Sequence, residues 1–105
     1  MMRQCVVRIS SVQQTTLVAL YIIENRQSFQ GEAIRPTPLM DLYSMINKTK
    51  SMDIYVNNFR VSCHTLCKNK LLAKYRNESL NLAFMLTDSG KVLAKELHQK
   101  LLSTL

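Results

Sequence analysis

Glycine and proline are scarce in this sequence, with only two residues of each among 105. It holds no Gly/Ser linker, low-complexity tract or internal repeat that would divide it into separate units. Because Gly31 and Gly90 are the only glycines, a glycine-rich loop that cradles phosphate groups is excluded. We expect a leader over residues 1–10 and a single domain over residues 11–105.

Long apolar runs and paired cysteines are also lacking. The longest apolar run, residues 17–23, is far short of the roughly 20 residues needed to cross a bilayer, and residues 1–10 hold no signal-like stretch. The three cysteines, an odd number, are not spaced as in a secreted disulfide framework. We therefore expect a soluble cytoplasmic protein in a reducing compartment, bacterial or encoded by a phage or plasmid.

Acidic residues are few, with 7 Asp and Glu against 14 Lys and Arg, which gives a formal net charge of +7. The segment from Lys48 to Arg76 contains seven basic residues and a single acidic one, Asp53. Positive charge concentrated in this way on a small domain indicates a polyanionic partner. A solvated lysine-rich surface is the alternative. Hydrophobic residues make up 47% of the chain, which is typical of a folded domain.

A first helix is predicted to begin at Ser10 or Ser11, since a glutamine three places later, Gln13 or Gln14, completes a capping-box signal. Apolar residues follow at helical spacing and also occupy its remaining faces: Leu17, Val18, Tyr21 and Ile22. The helix is therefore buried on more than one side. A second copy of the chain would cover the extra face, or the domain would wrap a central helix by itself.

A strand and two helices are predicted next. Residues 33–35 predict a short strand, because the residue before a proline is disfavoured in the helical conformation. Thr37 caps a helix over residues 38–48, with Pro38 at its first position. A third helix is predicted over residues 53–69, on the helical period of its apolar residues: Phe59, Cys63, Leu66 and Cys67.

The last third of the chain predicts a β-hairpin and a terminal helix. Residues 71–75 and 80–86 form the strands, with a polar tip over residues 76–79. Residues 87–90 open the helix, in which leucines recur every four residues: Leu93, Leu97, Leu101 and Leu105. The order helix, strand, helix, helix, strand, strand, helix predicts a mostly α structure with a small hairpin (α+β), the winged helix-turn-helix.

In that fold the second helix of the pair, here residues 53–69, enters the DNA major groove, and the hairpin over residues 71–86 lies on the flanking backbone or minor groove. Small or hydrogen-bonding side chains are needed to contact base edges. The base-reading candidates are Asn57, Asn58, Arg60, Ser62 and Thr65. The phosphate-contacting candidates are Lys48, Lys50, Lys68, Lys70, Lys74 and, at the hairpin tip, Arg76. The ordinary solvated face of an amphipathic helix is the alternative.

The stretches from Leu66 to Leu72 and from Phe84 to Lys91, the second containing the pattern Leu-Thr-x-x-Gly, resemble MarR-like and PadR-like bacterial regulators. The resemblance covers roughly residues 12–102 and implies a dimer that uses the first helix and residues 88–105. The function expected from these features together is a sequence-specific regulator of double-stranded DNA, of the repressor type. The implied interface residues are Val18, Tyr21, Ile22, Leu97, Leu101 and Leu105. Lys70 departs from the pattern, standing where a glycine is usual. The chain is also shorter than typical MarR-like proteins, so we expect no small-molecule ligand.

No catalytic or metal-binding constellation is visible. Cys63 and Cys67 share the apolar side of the third helix and are expected in the core, with His64 about 100° away around the helix. His98 has no serine or cysteine partner at motif spacing, and the carboxylates are scattered. We expect a non-enzyme with no cofactor and no metal. The alternatives are a winged-helix module that binds protein or RNA, and a regulator that senses redox state through its thiols.

Overall fold

The computed structural model describes residues 10–49, 54–76 and 78–103. Its helices are α1 (Ser11–Phe29), α2 (Leu39–Thr49), α3 (Val56–Lys68) and α4 (Asp88–Ser103), and its strands are β1 (Thr37–Pro38), β2 (Leu72–Arg76) and β3 (Leu82–Leu86). The sheet is antiparallel with the order β1-β3-β2. The predicted α+β winged-helix order is therefore confirmed. The predicted leader up to residue 9, Lys50, Asp53 and Leu105 lie outside the described residues.

Helix α1 begins as predicted. The Ser10 side chain accepts a hydrogen bond from the Gln13 N–H, and the Gln13 side chain accepts one from the Ser10 N–H, both at 3.2 Å. Leu17 and Leu20 are fully buried at the centre of the domain, where α1 packs against the three other helices and β3. Val18 and Ile22, on another face of α1, are only half-buried.

The predicted strand over residues 33–35 is wrong. These residues are exposed and irregular, and the strand lies two residues further on, where Thr37 pairs with Phe84. Pro38 belongs to this strand rather than to the first turn of α2, which begins at Leu39. A proline is tolerated there because β1 is an edge strand, where a missing N–H breaks no ladder.

The other boundaries differ by a few residues. Helix α3 covers Val56–Lys68 within the predicted 53–69, preceded by an extended Tyr55. The predicted second wing strand began at residue 80, but Leu80 is exposed with a positive φ of 62° and lies outside β3.

The core contains mainly apolar residues from α1 to α4 and the hairpin: Leu17, Leu20, Leu42, Ile46, Phe59, Cys63, Leu66, Leu72, Phe84 and Ala94.

The turn that ends α3 takes the conformation that glycine favours, with Lys70 at its centre (φ 64°). The Lys70 N–H donates to the Cys67 carbonyl at 3.0 Å, and the Leu71 N–H donates to the Leu66 carbonyl at 2.9 Å. These two bonds form a Schellman motif, and Leu71 is buried against the helix. Lys70 therefore adopts, at this turn, the left-handed conformation that a glycine would take without strain.

A buried carboxylate joins α1 to the sheet. Glu24, only 4% exposed, accepts a hydrogen bond from the Leu86 N–H at 2.8 Å through Oε2, while Oε1 is buried without a hydrogen-bond partner. Burial raises the pKa of Glu24, and the Leu86 N–H and the Lys91 ammonium partly oppose that effect. The contact ties α1 to the last residue of β3.

We expect Lys70→Gly to raise the free energy of unfolding by roughly 0.5–1 kcal/mol, since relief of the left-handed strain exceeds the entropy that glycine adds to the unfolded chain. Gly31 ends α1 with the same two-bond turn at φ 77°, so Gly31→Lys is the reciprocal control and should destabilise. Urea unfolding of both variants tests this. A destabilised Lys70→Gly variant would contradict the argument.

We expect Glu24→Gln to be more stabilising at about pH 8 than at about pH 5, because the wild-type carboxylate must be ionised while buried at the higher pH. A pKa raised on folding means that the native state binds the proton more tightly, so this carboxylate's contribution to stability falls as pH rises through the folded pKa. The glutamine still accepts the Leu86 N–H. Urea unfolding at both pH values measures the effect, with exposed Glu96→Gln as the control. An equal change in the free energy of unfolding at both pH values on Glu24→Gln would contradict this prediction.

Candidate nucleic-acid interface

Helix α3 has one buried and one exposed face. Phe59, Cys63 and Leu66 are fully buried, whereas Asn57, Asn58 and Arg60 are exposed. The predicted base-reading residues therefore include three that lie open on one stretch of the helix. The other two, Ser62 and Thr65, are half-buried, and the Thr65 hydroxyl donates to the Val61 carbonyl at 3.0 Å within the helix.

The predicted phosphate-contacting residues are exposed wherever the structure describes them. Lys68 and Lys70 lie at the end of α3, Lys74 and Arg76 lie on β2, and Lys48 lies in the last turn of α2. Lys50 is outside the described residues. The structure thus brings the basic residues of α3 and the hairpin close together and leaves Lys48 on a separate element.

A cleft of about 580 Å³ separates α3 from the hairpin tip and the first turn of α2. Arg60 of α3 and Arg76 of β2 both line it, with Asp41 of α2 also on its wall. Arg76 donates a hydrogen bond from Nη1 to the Leu80 carbonyl at 2.8 Å, which leaves its remaining N–H groups for other contacts. The guanidinium is therefore tied to the hairpin tip from which it was expected to contact DNA.

His64 lies on α3 one turn after Arg60 and was not among the predicted DNA-contacting residues. It is half-buried, and its pKa is lowered mainly by burial and then by the positive charges of Lys74, Arg60 and Arg76. Arg60 and Arg76 line the same cleft, and Lys74 shares a face of β2 with Arg76, so these three residues and His64 are described as one cluster. A sequence signal was present, since Arg60 and His64 are four residues apart and so share a helix face.

Cys63 and Cys67 lie as predicted on the apolar side of α3, the first buried and the second half-buried. Burial raises the pKa of Cys63 to about 12, and the pKa of Cys67 is also raised by burial. A protonated thiol is a poor nucleophile, so Cys63 is not suited to redox sensing. Among the described residues, no group of three or more His, Cys, Asp or Glu side chains could hold a metal ion.

The predicted dimer residues divide between two surfaces. Val18, Ile22, Leu97 and Leu101 line one apolar groove of about 320 Å³ between α1 and α4. Tyr21 instead contacts the ring of His98, with the centroids 5.3 Å apart, and lines a second cavity with Glu24 and Lys91. Leu105 lies outside the described residues. No described helix has the length and apolar character needed to cross a membrane.

Comparison with known proteins shows the fold. The adhesin competence repressor AdcR from Streptococcus pyogenes aligns with a TM-score of 0.69 at 18% identity, over 92% of this chain and 60% of that chain. ZitR of Lactococcus lactis, a zinc-responsive MarR family member, gives 0.65 at 18% identity, over 96% and 61%. SSV1 F-93 gives 0.67 at 17% identity, over 94% and 90%.

This chain thus spans about three fifths of the length of AdcR and ZitR. No family model and no curated protein matches the sequence. The structural likeness shows that the chain has the winged helix-turn-helix fold seen in MarR-type regulators.

Proposed function

We propose that this protein is a sequence-specific regulator of transcription, of the repressor type, that binds double-stranded DNA as a homodimer. The observation that carries this proposal is the exposed polar face of α3, with Asn57, Asn58 and Arg60 beside the basic residues of β2. In a winged helix this face enters the major groove. Asparagine pairs bidentately with adenine and arginine with guanine, each worth roughly 1–3 kcal/mol of discrimination.

The basic residues around this face supply affinity rather than specificity. Lys68 and Lys70 at the end of α3 and Lys74 and Arg76 on β2 would contact phosphates on either side of the groove. Ser62 and Thr65, being half-buried, would contact only bases that α3 approaches closely. In this proposal the protein acts by binding DNA and is not an enzyme.

A second candidate function, binding of single-stranded RNA, is favoured by two exposed aromatic rings. Tyr55 is 75% exposed before α3, and Tyr75 is 47% exposed on β2. Exposed rings beside basic residues can stack on unpaired bases. To separate the two functions, single-stranded RNA is added as a competitor in the duplex-binding experiment described next. It would displace the protein from duplex DNA if RNA binding were the main function.

We expect the affinity for random duplex DNA to fall as salt concentration rises. A plot of the logarithm of the binding constant against the logarithm of the salt concentration should have a slope of about −0.9 for each neutralised phosphate. The double variant Asn57→Ala, Arg60→Ala should no longer distinguish a duplex selected by the wild type from random duplex. The matched control is Asn25→Ala, Arg26→Ala, which removes the same two residue types from an exposed part of α1. If folded protein binds no duplex at low salt, or if single-stranded RNA competes better than duplex, the proposed function fails.

The dimer is proposed to form through the apolar groove between α1 and α4, with the same groove of a second copy as its partner. Val18, Ile22 and Leu97 line it, and Leu101 stands 52% exposed at its edge. A two-fold axis at this groove would place the same apolar residues of both copies against each other. Two recognition helices related in this way are expected roughly 34–36 Å apart, one turn of duplex.

We expect Leu101→Glu to convert a wild-type dimer into a monomer, because an unpaired carboxylate would be buried in the interface. Val92, on the same helix, is 62% exposed but lines the second cavity, so Val92→Glu is the control and should remain dimeric. Sedimentation equilibrium at micromolar concentration measures the mass. A monomeric wild type, or loss of the dimer in the Val92 variant alone, would show that this groove is not the interface.

A further inference from the structure

Cationic side chains from α3 and β2 lie on the same side of the domain. Arg60 and His64 are one helical turn apart on α3 and therefore share a face. Lys74 and Arg76 are two residues apart on β2 and share a face of that strand, which packs against α3. The cleft lined by both Arg60 and Arg76 places the two elements' side chains together.

His64 is the one member of this cluster that titrates near neutral pH. The groups that act on its imidazole are Lys74 first, then Arg60 and Arg76. Lys68 follows one turn later on α3, and α2 contributes the carboxylate of Asp41 to the lining of the same cleft. Burial and this net positive surrounding lower the pKa of His64, so the imidazole is neutral in the free protein at neutral pH.

We propose that His64, together with Lys74 and Arg76, holds one phosphodiester group of the DNA backbone, and that the protein takes up one proton at His64 as the duplex binds. This inference rests on the proposed DNA-binding function and adds a residue and a pH dependence to it. The proton comes from solvent, and the imidazolium that forms has two N–H donors for phosphate oxygens.

The physical reason is that a bound phosphate brings negative charge next to the His64 imidazole, where the free protein has positive charge. In the free protein burial, and then three neighbouring cations, disfavour a charge on the imidazole. A phosphodiester within contact distance supplies the opposite charge and favours the protonated form, so the pKa of His64 rises on binding. By linkage, duplex affinity increases as pH falls between the bound-state and free-state pKa values, since protons bind more tightly to the complex.

The test is the affinity for a random-sequence duplex at constant ionic strength from about pH 5.5 to about pH 8. We expect wild-type affinity to rise as pH falls, by at most about tenfold per pH unit for a single proton. His64→Gln should bind with little pH dependence, and His64→Arg should bind tightly throughout. The other histidine, His98, contacts Tyr21 on α1, so His98→Gln is the matched control and should behave as the wild type.

An NMR titration of the His64 ring protons provides the readout that a purely structural role would not move. The pKa of His64 should be higher in the presence of the duplex than in its absence. Duplex binding whose pH dependence survives His64→Gln would overturn this inference and leave the proposed function intact. A folded protein that binds no duplex at any pH would overturn both.

Discussion

The backbone of Leu71 is the point on which the arrangement of the domain depends. Its N–H closes α3 by donating to the Leu66 carbonyl, and its own carbonyl accepts the Thr87 N–H at 3.2 Å. A Cβ at Gly90 would overlap that same carbonyl oxygen, so the first turn of α4 passes directly against the turn between α3 and β2. The Thr87 hydroxyl donates to the Lys70 carbonyl at 2.7 Å and accepts the Gly90 N–H at 3.0 Å.

These contacts give the Leu-Thr-x-x-Gly pattern a physical meaning. Leu86 enters the core and donates its N–H to Glu24, Thr87 caps α4 and holds the turn after α3, and Gly90 supplies the space for the Leu71 carbonyl. The end of α3, the wing and the start of α4 are thereby fixed relative to one another. In the proposed dimer, in which α4 contributes to the interface, the same contacts would fix the distance between the two recognition helices.

Much of this arrangement could be predicted because its signals are local. The capping box at Ser10, the apolar period of α3 and the hairpin each depend on residues close in sequence, and all three were located to within a few residues.

The features that could not be predicted depend on partners distant in sequence. The two-residue strand β1 exists because Thr37 meets Phe84, and the buried state of Glu24 depends on Leu86, 62 residues away. In the candidate site, the exposure of Asn57 and Arg60 followed from helical periodicity, whereas the effect of β2 on His64 required the tertiary structure.

Lys70 shows how charge and local conformation compete at this junction. A lysine in the left-handed region costs about 1–2 kcal/mol relative to the right-handed one. The two Schellman hydrogen bonds, each worth roughly 0.5–1.5 kcal/mol, and the burial of Leu71 are sufficient to hold it there. A glycine would satisfy the same turn without strain but would carry no charge. The lysine places a cation just beyond the C-terminus of α3, where the helix dipole favours it, and beside the surface that we propose contacts the DNA backbone. The hydrogen bonds and the burial of Leu71 therefore sustain the strain at this turn, and the proposed DNA contact would account for a charged residue in place of glycine.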